Sequence, residues 1–464
     1  MLFNSLVFLF GFLPVTYVVF WCLRTTRQRH IWLTLTGYVF YGYWDPRFCL
    51  LMLFTTLVSY SAGRAFLVTE DPRTRKLLLV TPITIDLLLL GFFKYAGFLT
   101  RSVSSAAGLL GWNADIPVLD VILPIGISFY TFHTITYIAD SYRRVITPTR
   151  SFWEFGAYVS LFSQLVAGPI VRFRQIEADL ERVGSAERHS GLRLGLSFFA
   201  FGMCEKVIVA DSLAHFVDPW LATYATLSSA AAWMAMLGYT FQLYFDFSGY
   251  STMAVGLGLM FGLRIPQNFD SPYRAVNPSD FWRRWHISLS TVMRDYLYIP
   301  LGGNRGSSWF MYRNLMITML LGGLWHGANW TFVAWGAYHG VLLIGYHALS
   351  ARTGHVPRWL AQVVTFVLVV IGWVFFRAAD FTMAGALLAK MFTPQSGSMP
   401  DGAWPFAIVV AVAGAMARWA PNAFEYHSNF YPSLTRMATA AAVLGFALPL
   451  IAGSRTSPFL YFQF

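Results

Sequence analysis

Apolar residues gather into runs near 2–23, 31–43, 48–62, 77–98, 119–138, 155–171, 191–210, 230–247, 251–264, 315–331, 332–349, 358–376, 404–420 and 437–452. A straight bilayer crossing takes about 20 such residues, and the longer runs meet that length. Several shorter runs are broken by Gly or Pro. Such pieces persist at membrane depth only where protein or a water-filled cavity satisfies their backbone. The pattern predicts an all-α, polytopic membrane bundle forming one domain over 1–464, with some short, tilted or re-entrant helices and no separate soluble domain.

The longest polar and aromatic interruption is Phe269–Arg313. Within it, Ser279 or Asp280 is the expected N-cap of a helix that places Trp282, Trp285, His286, Leu289 and Met293 on one face by i+3/i+4 spacing. Arg283, Arg284 and Arg294 fall mainly elsewhere, as on an amphipathic helix lying in the interface. Pro300 and the turn Leu301-Gly-Gly-Asn-Arg-Gly306 close the stretch.

Composition agrees with the pattern. Only 12% of the 464 residues are charged and 56% are hydrophobic, whereas a water-facing surface needs roughly 25–35% charge. The net charge of +11 is spread in short clusters between apolar runs, as the positive-inside rule places it, and not on the single basic face of a nucleic-acid binder. Arg24–His30, Arg64–Lys76 and the cluster Arg143, Arg144 and Arg150 then lie inside. The loop near 99–118, with Arg101 and Asp115, lies outside. The first cation is Arg24, so Met1–Leu23 reads as a retained anchor and not as a cleaved leader. Cys22, Cys49 and Cys204 form no CxxC pair and read as small buried apolar residues.

Chemistry concentrates on histidine. His326 lies within an apolar run, where an ionisable group is costly and functional by default. Gly322, Gly323, Gly327 and Ala328 allow close approach of a helix or a ligand, and Asn329 is placed to hydrogen-bond the imidazole and fix its tautomer. A neutral imidazole with one free nitrogen suits a general base; a core histidine bonded to a backbone carbonyl is the plainer alternative. His286, on the Trp-lined face, is either a second polar group of the site or an aromatic anchor. Asp246 and Ser248, in Tyr244–Ser251, lack the Gly-x-Ser-x-Gly of a nucleophile elbow, and Asp246 reads as a partner for a buried Arg or as the group that orients a histidine, the structural pair being the plainer reading. His133 and His339 read as helix-packing residues. The chain carries no His-Glu-x-x-His or Walker-type motif, so no metal site and no permanently bound cofactor is expected.

Phe281-Trp-Arg-Arg-Trp-His-Ile-Ser-Leu-Ser290, Asp295-Tyr-Leu-Tyr298, Leu301–Gly306 and Leu324-Trp-His-Gly-Ala-Asn329, in this order, resemble the membrane-bound O-acyltransferase family, in particular its bacterial branch serving exported polysaccharides such as alginate. Leu123–His133, Ala167-Gly-Pro169, Tyr244–Tyr250, Ile371–Arg377 and Tyr461–Phe464 extend the likeness over most of the chain. The resemblance implies a helical fold with a central tunnel or funnel, and a motif core near 120–350. It also implies catalysis by His326 with His286 as the second polar position. Glu205-Lys206 departs from the two basic residues usual in relatives.

By the same resemblance, acetyl passes from a cytoplasmic donor, acetyl-CoA, across a bacterial inner membrane. An extracytoplasmic serine-type acetyltransferase partner then hands it to an exported polysaccharide, alginate or another glycan such as cellulose or peptidoglycan. Trp325, Trp285, Asn329, Arg283, Arg284, Asp246 and Arg294 are the candidate substrate contacts, membrane lipid is the surrounding partner, and nucleic acid has no part. Two other classes fit the residues alone: a proton-coupled transporter or flippase, and a non-catalytic scaffold of an export complex.

Overall fold

The structure, a computed structural model, describes all residues except 113–116, 118, 120, 167, 186–190, 350–355, 429–432, 454–456, 458 and 461–464. Asp115, Ala167 of the Ala167-Gly-Pro169 motif and the terminal Tyr461–Phe464 therefore lie outside the described residues. The described chain is helical and carries no strand; its one isolated bridge joins Leu227 and Ser398.

The chain divides into two compact units, one of residues 1–192 and 257–266 and one of residues 193–256 and 267–464. The first holds α1 (Leu13–Cys22), α2 (Thr26–Gly42), α3 (Arg47–Phe66), α4 (Pro72–Leu109, with a π-helical turn at Gly91–Tyr95), α5 (Ile127–Tyr142), α6 (Phe152–Val159) and α7 (Phe173–Glu181). Local signals set the boundaries. Thr25 and Gln28 cap α2 reciprocally, and Asp71 accepts from Thr74 N ahead of Pro72 at the start of α4, satisfying N–H groups that a helix start leaves open. The basic segments are not plain loops. Arg29 and His30 are buried within α2, and Arg29 donates to Leu23 O at 2.6 Å. Arg75 is buried too and donates to Thr69 O and Tyr142 O, using fixed cations to satisfy carbonyls near helix ends. Cys22, expected inside, is exposed at the end of α1. Among the described residues of the run at 155–171, only the part within α6 is helical.

The second unit holds most of α8 (Gly191–Met203), then α9 (Asp211–Ala222) and most of α10 (Ser229–Met260). Next come α11 (Pro278–Arg284), α12 (Ile287–Met293), α13 (Ser308–His326), α14 (Trp330–Leu349), α15 (Arg358–Arg377), α16 (Phe381–Phe392), α17 (Ala403–Trp419), α18 (Ala423–His427) and α19 (Leu434–Ala452). The runs at 230–247 and 251–264 are one helix across Gly249. That glycine serves approach and not a break: a Cβ there would lie 2.7 Å from Gly202 O, and one at Gly256 would lie 2.5 Å from Gly195 O. No run predicted α16; it is a short amphipathic piece capped by Asp380.

Arg47–Phe66, Pro72–Leu109, Arg358–Arg377 and Leu434–Ala452 are long and apolar enough to cross a membrane. Only 6% of the most apolar stretch of α19 is buried inside the protein, an exposed apolar face of the kind that marks a membrane or protein contact.

Candidate active site

The stretch expected as one amphipathic helix is two. Asn277, not Ser279 or Asp280, caps α11, accepting from Asp280 N at 2.8 Å, with Pro278 at the first helical position. The helix stops at Arg284, and His286 adopts a left-handed backbone with φ 44°. That conformation costs of order 1–3 kcal/mol for a residue with a side chain. The neighbours hold it. Ile287 N donates to Asn268 O at 2.9 Å, Ser288 Oγ donates to Asn268 Oδ1 at 2.9 Å, and Ser290 N donates to His286 O at 2.9 Å. Asn268, itself donating to Ser251 Oγ at 3.2 Å, was missed in the sequence because nothing local marks a lone Asn as the brace of a distant turn.

The break turns His286 inward and not onto an interfacial face. Its side chain is fully buried, 4.7 Å ring to ring from Phe247 and 5.9 Å from Trp325. Neither imidazole nitrogen has a hydrogen-bond partner among the described residues. The His326 ring lies 6.3 Å away.

His326 is the last residue of α13, and the chain turns through Gly327–Asn329 into α14. Glycines make this hairpin tight. A Cβ at Gly323 would lie 2.2 Å from Phe332 O, one at Gly336 would lie 2.3 Å from Met319 O, and one at Gly327 would strike the Phe332 ring. Gly322 differs, since a Cβ there would meet nothing within 4 Å. It opens instead onto a cavity of about 360 Å³ whose wall also includes Leu315, Met319, His326, Trp282 and Trp335. Leu315, Met319, Gly322 and His326 form one face of α13. His326 is 4% exposed, with Trp325, Trp335 and Phe376 rings at 5.0–5.2 Å. The turn Leu301–Gly306 is tied to the same helix: Asn314 donates to Gly303 O at 3.0 Å, and Gly302, Gly303 and Gly306 all have positive φ.

The other candidates separate. Arg283 and Arg294 line the cavity. Arg284 does not; it is held by Asp280 at 3.0 Å and Asp270 at 3.2 Å. Trp285 packs on Trp373 and Phe281, and Trp325 packs beside both histidine rings, so both support the wall without lining it. Trp282, expected on the face of His286, does line it, and so does Trp335, which no sequence signal marked. Asn329 was expected on the imidazole. Its amide instead donates to Ala379 O at 2.8 Å and accepts from Thr331 N at 3.1 Å. The reason is that α13 ends at His326, so i+3 no longer means the same helix face. His339 stacks among Phe281, Trp282 and Trp335, and His133 packs beside Tyr158.

Asp246 belongs to a different centre. Lys206 Nζ lies 2.6 Å from both Asp246 and Asp211 and donates to Ser457 O at 3.1 Å. Leu460 N donates to Asp246 at 2.9 Å, and Ser457 Oγ to Asp211 at 2.6 Å. Glu205 accepts from Ser248 and Thr252 at 3.1–3.2 Å. The unusual Glu205-Lys206 pair is thus buried and hydrogen-bonded.

The sequence profile of the membrane-bound O-acyltransferase family matches residues 119–384. A Pseudomonas aeruginosa protein named "Probable alginate O-acetylase AlgI" is 44% identical over 396 residues, covering 85% of this chain and 75% of its own. One of the same name from Pseudomonas putida is 40% identical over the whole of both chains. The peptidoglycan O-acetyltransferase of Helicobacter pylori is 37% identical over 84% of this chain and 80% of its own. With these matches the transporter and scaffold readings give way. The chain belongs to the membrane-bound O-acyltransferase family and is a multi-pass membrane O-acyltransferase.

Proposed function

We propose that the protein transfers acetyl from acetyl-CoA, supplied from the cytoplasm, across the bacterial inner membrane for O-acetylation of an exported polysaccharide, alginate in the first instance. The observation that carries the catalytic part is His326, a buried imidazole in the wall of a 360 Å³ cavity that is otherwise largely apolar. The acceptor hydroxyl gives its proton to His326 as its oxygen forms a bond to the thioester carbonyl carbon. The C–S bond then breaks, and the thiolate leaves and takes up a proton. General-base help of this kind is worth roughly 10²–10⁴ in rate. His286 stands 6.3 Å behind His326, ring to ring. One oxygen hydrogen-bonded to both imidazoles at about 2.8 Å each spans that gap, so His286 positions the acceptor or stabilises the developing oxyanion. Arg283 and Arg294 receive the donor at the exposed side of the cavity. An extracytoplasmic acetyltransferase with a serine nucleophile completes the delivery.

The peptidoglycan O-acetyltransferase relative supports peptidoglycan as a second acceptor. Mass spectra of cell-surface glycans with and without the gene distinguish the two. The test of the chemistry is a folded, membrane-inserted His326→Ala protein: polymer acetylation is lost, and full retention removes His326 from its role.

A further inference from the structure

The first unit carries a hollow that the acyl transfer does not use. It is a groove of about 640 Å³ between α3 and α4, two helices that can cross the membrane. Its wall changes character along its length. Toward the turn that joins the helices it is Ser61, Ala62 and Thr74; away from the turn it is Phe54, Leu57, Leu77 and Leu78, with Thr81 the one hydroxyl of the wall at that depth. Two cations stand at the polar end. Arg64 follows Leu57 by seven residues and Ser61 by three, and Arg73 precedes Leu77 by four, so helical spacing puts both on the edge of the groove. Both are exposed, and neither guanidinium has a hydrogen-bond or ion-pair partner among the described residues. A cation in the first turn of α4 opposes the helix dipole, so nothing in the helix itself calls for Arg73. The neighbouring acids are engaged: Glu70 pairs with Arg144, and Asp71 accepts from Thr74 N and Oγ1 at 2.8 and 2.7 Å. Arg75 is buried on backbone carbonyls. Lys76 is two residues from both Thr74 and Leu78 and so falls on another face of α4.

Cations, then hydroxyls, then hydrocarbon is the order of a glycerophospholipid from its phosphate through its glycerol esters to its acyl chains. Depth selects lipid over protein. Phe54 to Ala62 is a rise of eight residues, about 12 Å of helix, close to half of the roughly 30 Å hydrocarbon core. An acyl chain of one leaflet fills that depth, whereas a partner's membrane helix would run on through the whole core. A basic mouth between membrane helices suits an anionic head. We propose that the groove between α3 and α4 holds one anionic phospholipid, with an acyl chain along Leu57, Leu77 and Leu78 and the phosphate on Arg64 and Arg73. The charge pattern that puts Arg64–Lys76 inside puts this lipid in the cytoplasmic leaflet. The site is independent of the acyl-donor reading above.

The experiment adds phosphatidylglycerol or phosphatidylcholine with identical acyl chains to the purified, delipidated full-length protein in detergent. Bound lipid is read by native mass spectrometry, and stability by the thermal unfolding midpoint. Wild type should hold one phosphatidylglycerol with a raised midpoint and bind phosphatidylcholine more weakly. Arg64→Gln combined with Arg73→Gln should weaken phosphatidylglycerol binding about thirtyfold, about fivefold for each cation near an anionic head. The preference between the lipids should vanish, while the lipid-free midpoint and turnover stay at wild-type values. Leu57→Trp should shut out both lipids by filling the groove, and Lys76→Gln should change nothing. Equal binding of the two lipids by wild type overturns the assignment, as does a preference that survives the double substitution or that Lys76→Gln also removes. So does protection by sn-glycerol 3-phosphate alone, which carries the head without the chains.

Discussion

The second unit buries two polar centres, and they are built in opposite ways. Around Lys206 the ammonium meets two aspartates, and a serine and a backbone N–H serve the carboxylates; of the Asp211 oxygens, Oδ2 alone is left without a hydrogen-bond partner among the described residues. Around His286 nothing closes. His286 sits in a left-handed backbone with neither nitrogen engaged among the described residues, and His326 faces a cavity. Buried polar groups are nearly always satisfied, so an unsatisfied one calls for an explanation, and strain that coincides with it sharpens the suspicion of function. Both centres were candidates from sequence, since Asp246 and His326 are each ionisable residues in apolar runs. What separates them is satisfaction, and the sequence does not display satisfaction.

Substitutions should separate them as well. The largest effect is expected at His326. His326→Ala should lower turnover by about 10²–10⁴ while the thermal unfolding midpoint in detergent stays near wild type, because the removed ring borders space that is already open. Breaking a buried ion cluster costs about 3–5 kcal/mol, so Asp246→Ala should depress the thermal midpoint strongly and leave the rate per folded molecule unchanged. A stable but inactive Asp246→Ala protein would erase the contrast. His286→Ala should cost turnover about 10²–10³-fold, the loss seen for one stabilising donor. Unchanged turnover and substrate affinity would make His286 a packing residue. The smallest effect is expected at Gly322, where Gly322→Leu should raise donor KM by about tenfold by filling the cavity, with little change in stability. Gly323→Leu should fail to fold, since Phe332 O occupies the space its side chain needs; equal behaviour of the two variants would dismiss the cavity as the donor's seat.

Much of the architecture was legible because bilayer physics writes itself into composition. The apolar runs at 48–62, 77–98, 358–376 and 437–452 all fall within long apolar helices. Boundaries were legible where a cap was strong and misplaced where glycine was ambiguous. The gap between the runs at 230–247 and 251–264 lies inside one helix, where Gly249 is a contact, whereas the real break, at His286, has no Gly or Pro to announce it. The site was half legible. His326 and His286 stood out as ionisable groups in apolar or aromatic settings, and the structure brings them together. Asn329 was assigned by helical spacing across a point where the helix has ended. Trp335 and Asn268 were hidden because their roles depend on partners from other elements, which no local pattern encodes.

The neighbouring glycines 322 and 323 lie under unrelated selection. At 323 the excluding object is the protein's own backbone, so the position is frozen for as long as this hairpin exists, whatever acyl group is carried. At 322 a side chain would meet open space, and under the proposed function the excluding object is the cargo. A lineage that changed its donor could fill or widen that position in one step without refolding anything. Drift at residue 322 against constancy at residue 323 would then record the history of the substrate separately from the history of the fold.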